Sequence, residues 1–151
     1  MFKTLRDLLA PLAAPAAGTP DPKALELACA VLLVEVMKAD PQTAPAEREA
    51  VLRALRQRFA LGEEALQDLL AMAEAASRSA SSFHQFTAEL NERLPQSEKV
   101  HIVETLWQVA YADGHLDAHE NHVISRIAGL LHVTHGEYIA AKLHAKQAAG
   151  L

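Results

Sequence analysis

Apolar residues recur along this chain at steps of three and four, the period of an α-helix, and no stretch shows the strict alternation of a β-strand. Phe2, Leu5, Leu8, Leu9 and Leu12 share one face of a short first helix that ends around Pro11. Pro15, Pro20 and Pro22 punctuate the alanine-rich stretch that follows, which reads as a linker. Asp21 is placed to cap the next helix, with Pro22 at its first position. From Leu25 to Met37 that helix is apolar nearly all round, apart from Glu26 and Glu35, so it should be central and buried. It ends at Asp40-Pro41, because proline discourages a helical conformation in the residue before it. Thr43 or Ala44 then opens a helix with a stripe of Val51, Leu52, Leu55 and Phe59. After a break at Leu61-Gly62, Leu66, Leu69, Leu70 and Ala73 line a third.

The segment Ser77 to Ser82 reads as a polar hinge, followed by a short linking helix through Phe83, Phe86, Leu90 and Leu94 that Pro95 stops. Ser97 should cap a helix running to Asp113, with Val100, Val103, Leu106, Trp107, Val109 and Ala110 on its apolar surface. Another opens at Asp117 and buries Val123, Ile124, Ile127, Leu130 and Leu131. The last opens at Thr134 and is expected to bury Ile139 and Leu143. Sliding the chain on itself by 73 residues brings Leu33 onto Leu106, Val36 onto Val109, Asp40 onto Asp113, Glu47 onto Glu120 and Leu70 onto Leu143 without a gap. The expected fold is therefore all-α: a single-domain helical bundle over 21–151, built from two three-helix pseudo-repeats at about 25–73 and 98–146 joined by the linking helix, with residues 1–20 as a separate short helix and linker.

Composition narrows the function classes. A chain of 151 residues with 50% hydrophobic content can bury one sizeable core. A net charge of −5 with scattered Lys and Arg disfavours a nucleic-acid partner, which calls for a basic stripe. Cys29, the sole cysteine, lies inside an apolar run and reads as a small buried hydrophobe. Asp7 and Pro11 interrupt the apolar core that a signal peptide requires, so a cytoplasmic protein is expected. No apolar run approaches the roughly 20 residues needed to span a bilayer.

The chemistry gathers at the helix boundaries. Tyr111 to Glu120 places Asp113 at a helix end, Gly114 after it, and Asp117 and Glu120 in the first turn of the next helix. A carboxylate at a helix C-terminus faces the negative end of the dipole, at a cost of up to about 1 kcal/mol, which a bound cation would offset. Asp40 and Glu47 repeat the spacing. Hard cations such as calcium or magnesium take oxygen ligands, and Asp113, Asp117 and Glu120 could supply several, with Asp40 and Glu47 as a second site. The spacing is not that of an EF-hand. His119 and His122, three residues apart on a helix, offer zinc as the alternative, together with Glu120. The structural alternative is that Asp117 and Glu120 form a capping box, that Thr134 and Glu137 form another, and that Asp113-Gly114 is ordinary turn chemistry. No phosphate loop, nucleophile elbow or zinc-protease helix is present, so no catalytic residues are assigned and an enzyme is not expected; a metal-dependent hydrolase placing a metal-bound water at the acidic corner is the least favoured alternative.

At ADGHLDAHE, preceded by VETLWQVAY and followed by a helix ending GLLHVTHGE, the chain resembles the tellurite resistance protein TerB family, and VEVMKADPQTAPAERE looks like a worn copy of the same element. The resemblance covers roughly Leu25 to Lys146. It implies an all-helical fold of two related halves, acidic residues suspected of metal binding, and an association with tellurite and general stress resistance as a regulatory or protein-interaction module. Asp113, Gly114 and Glu120 match the motif, as do Asp40 and Glu47. Pro41 stands where the family carries glycine, and Ala44 stands opposite Asp117, so the first corner has one fewer carboxylate and should be the weaker site.

Overall fold

A computed structural model describes residues 22–39, 45–79, 83–112, 114 and 116–151. The expected first helix and linker, the Asp21 cap, Asp40 to Ala44, Asp113 and His115 lie outside these residues. The described residues form seven helices: α1 Pro22–Ala39, α2 Pro45–Phe59, α3 Glu63–Ser79, α4 His84–Arg93, α5 Gln96–Ala110, α6 Ala118–Leu130 and α7 His135–Ala148. The protein is all-helical, as the periodicity predicts. The first residues of α2 and α6, Pro45 and Ala118, are separated by the same 73 positions as the sequence shift. The broadest helix contacts, α1 on α3 and α5 on α7, are also pairs that this shift relates.

Helix α1 is central because it has almost no polar face. Leu27, Leu32, Leu33, Val34 and Val36 are fully or almost fully buried, and the helix touches α2, α3, α4, α5 and α6. Cys29 sits among them at 3% exposure, and burial pushes its thiol pKa up to about 11 against a small opposing pull from Arg58. In α2 the stripe of Val51, Leu52 and Leu55 is buried and Phe59 half-buried. Phe86 and Leu90 seat the linking helix α4 on α1, and Asn91 Nδ2 donates to the Leu130 carbonyl at the end of α6, 2.8 Å away.

Three sequence expectations are corrected. Ser77 is part of α3, not of a polar hinge; it is 5% exposed, accepts a hydrogen bond from Lys38 Nζ at 2.7 Å and donates to Glu35, so it ties the ends of α1 and α3. The N-cap of α5 is Pro95, not Ser97, and no side chain caps it. Ile139 and Leu143 are 37% and 53% exposed. Helix α7 meets α5 through Ala141, Ala145 and the half-buried Tyr138 instead, since small side chains let two helix axes come close while the larger residues are turned away.

Candidate functional site

Helix α5 ends at Tyr111, whose N–H donates to the Trp107 carbonyl at 2.9 Å. The Gly114 N–H then returns to the Tyr111 carbonyl at 3.0 Å, and Gly114 takes φ +94°, a conformation that strains any residue with a Cβ. The chain re-enters a helix at Asp117. Its carboxylate accepts from the His119 N–H at 2.7 Å, while its own N–H donates to Glu120 Oε1 at 3.1 Å. This is the capping box that the residue types allow, and the second one, Thr134 with Glu137, is also formed. Two of the five expected metal ligands therefore already serve the helix start.

Burial separates the acids. Asp117 is half-exposed, but Glu120 is completely buried, and so is Glu47 in the first turn of α2. Both make interactions within the fold. Helical spacing explains their direction: Glu47 lies on the face of Val51 and Leu55, and Glu120 on that of Ile124 and Ile127, so each is carried into the core with its apolar neighbours. That signal is present in the sequence, where Val51 and Ile124 of the predicted buried stripes stand four residues on from each glutamate. Ala46 and Gly114 line one cleft, so the start of α2 and the turn after α5 meet at one end of the molecule.

The caps have an electrostatic consequence. The His119 backbone N–H, more than the neighbouring His119 ring, holds the Asp117 carboxyl below its ordinary pKa, and the Thr134 backbone N–H followed by Gln96 does the same for Glu137. A carboxyl depressed in the folded state stabilises fully above its unfolded pKa and loses that contribution as pH falls through the folded value. Stability should therefore be level from neutral pH down to about pH 5, then decline below the ordinary carboxyl range near pH 4. The Asp117→Asn, Glu137→Gln double variant should show a shallower decline in urea midpoint between pH 5 and 2; an unchanged slope would remove the caps as its source.

His119 is exposed, with Nδ1 3.1 Å from Asp117 Oδ1, and His122 is exposed one turn on. No three His, Cys, Asp or Glu side chains converge as a ligand group among the described residues, which do not include Asp113 or Asp40. Above the corner lies an aromatic cluster. Trp107 stacks on Tyr111 at 6.0 Å between ring centres and meets Tyr138 at 5.4 Å, with Lys142 Nζ 5.0 Å over the indole. Burial raises the phenol pKa of Tyr111 and of Tyr138.

The sequence profile of the family described as tellurite resistance protein TerB matches residues 26–143, a span from within α1 into α7 that includes both corners. No curated protein and no solved structure matches the chain. Among the described residues no helix is long and apolar enough to cross a membrane.

Proposed function

This chain belongs to the tellurite resistance protein TerB family, and on that premise we propose that it is a non-catalytic, cytoplasmic module of tellurite and stress resistance whose acidic corner binds a divalent cation. The observation that carries this reading is the pair of fully buried glutamates, Glu47 and Glu120, one at each corner and 73 residues apart. Burying an ionised carboxylate costs several kcal/mol unless charge and hydrogen bonds offset it. The first turn of a helix supplies part of that offset through its dipole. A cation held by Asp113, Asp117 and Glu120 would supply more, with Asp40 and Glu47 as the weaker second site.

All five ligands offer oxygen, which suits calcium or magnesium; His119 and His122 would turn the site toward zinc. The ion would join the end of α5 to the start of α6 and so set the relative tilt of helices that contact a partner protein. One observation favours a second reading, a metal-independent interaction scaffold: Asp117 Oδ1 and Glu120 Oε1 are already engaged in the capping box.

Melting of the metal-stripped protein under titration with calcium, magnesium, manganese and zinc separates the two. An ion at about 100 times its Kd stabilises the folded state by about 2.7 kcal/mol, which should raise Tm by roughly 5–10 °C for a chain of this length. Asp113→Asn should lose most of that rise. If no ion moves Tm, or the variant responds like the parent, the scaffold reading replaces the metal one.

A further inference from the structure

Each acidic corner begins where one helix ends and closes in the first turn of the next: one leads from α1 to Glu47 on α2, the other from α5 to Glu120 on α6. The two corners are neighbours, because α2 packs on α5. A single cleft of about 570 Å³ is lined by Ala46 and Glu49 from the start of α2 and by Tyr111, Ala112 and Gly114 from the end of α5 and the turn after it. Ala46 directly precedes Glu47, and Gly114 lies in the turn that leads to Asp117 and Glu120. The two fully buried glutamates therefore enter the core at the same end of the bundle.

Carboxylate donors suit a hard divalent cation at either corner, and an ion entering one adds two positive charges whatever the carboxylates already carry. At about 12 Å, the breadth of such a cleft, two divalent charges in water repel as two like unit charges do at about 3 Å, which amounts to about tenfold in affinity. The effect is reciprocal, since each ion must lower the affinity for the other by the same factor. The cleft is open to solvent, so salt reaches it and screens the repulsion.

We propose that the two corners are antagonistic cation sites: an ion at Asp113, Asp117 and Glu120 lowers the affinity of Asp40 and Glu47 for a second, and the reverse. The antagonism rests on the cation reading above and adds its regulation. With three carboxylates against two, the Glu120 corner fills first. The Glu47 corner then fills at about tenfold higher ion concentration than it would alone, so the protein answers rising cation in two separated steps. Arg53 and Glu49, exposed in the cleft between the corners, act on both ions in opposite senses.

Calorimetric titration of the metal-stripped full chain with calcium and, separately, magnesium, at about 20 mM and about 500 mM salt, tests the antagonism. The parent should bind two ions. Asp113→Asn, which disables the Glu120 corner, should hold its remaining ion about threefold more tightly than the parent holds its second at low salt, because one added charge stands where an ion adds two. Arg53→Gln should tighten both ions about threefold and Glu49→Gln should loosen both about as much. Both residues are exposed, so these metal-free variants should melt with the parent. In high salt every difference should shrink below about twofold. Equal affinities at low salt for the ion left in Asp113→Asn and the parent's second ion, or no effect of Arg53→Gln, would make the corners independent and overturn the antagonism while the cation reading stands. One ion per chain, lost in both Asp113→Asn and Asp40→Asn, would also overturn it, by making the corners two halves of one site. Uptake of neither ion would remove the hard-cation reading itself, and the antagonism with it.

Discussion

Trp107→Ala is expected to lower the unfolding free energy by about 3–5 kcal/mol and Tm by on the order of 10 °C. The indole is fully buried and joins two helices: it stacks on Tyr111 of its own α5 and meets Tyr138 and Lys142 of α7. Truncation removes these contacts and leaves a hole that neighbouring alanines cannot reach across. Against a typical total of 5–15 kcal/mol, that loss takes a large share. Urea unfolding gives the magnitude, and amide exchange gives its place, because α7 should open before α1. Trp107→Phe should cost clearly less. It keeps an aromatic face for Tyr138, and it removes an indole N–H that is buried without an acceptor among the described residues. Equal losses for the two variants would show that the ring contacts do not hold α7 in place.

Phe86→Ala should be nearly as severe, at about 3–5 kcal/mol, for a different reason. Phe86 and Leu90 are the buried residues that fasten the ten-residue α4 to α1, and a helix of that length is marginal without packing. The exchange of α4 amides should therefore accelerate more than that of α7, the reverse of the Trp107 pattern. Phe83 makes the useful comparison. It is 9% exposed at the start of α4 and has the Arg126 guanidinium 5.2 Å over its ring, so Phe83→Ala should cost less than Phe86→Ala. A Phe86→Ala protein that melts within a degree or two of the parent would mean that α4 is held from elsewhere.

The helices were legible because their signals are local. The all-round apolarity of α1, the prolines at 41, 45 and 95, and the three-and-four spacing in α4 and α5 specify helix and boundary without reference to the rest of the fold. The errors occur where a neighbour decides. Ile139 and Leu143 are more hydrophobic than Ala141 and Ala145, yet the alanines face α5, because close approach of two helices rewards small side chains. Ser77 looked like hinge chemistry, but Glu35 and Lys38, far away in the chain, give its hydroxyl two partners inside the fold.

The corner was half legible. Residue types and spacing give the capping boxes, and both formed. The burial of Glu47 and Glu120 depends on which way α2 and α6 face, a property of the packed bundle.

The position of Cys29 limits what this protein can do to an oxidant. A cysteine attacks an oxidant as the thiolate, and with a pKa of about 11 only about one molecule in ten thousand carries that form at pH 7. The sulfur is also walled in by α1 and its neighbours. Cys29 is therefore badly placed to act as a sacrificial reductant, and its sulfhydryl should stay intact when the protein meets an oxidant.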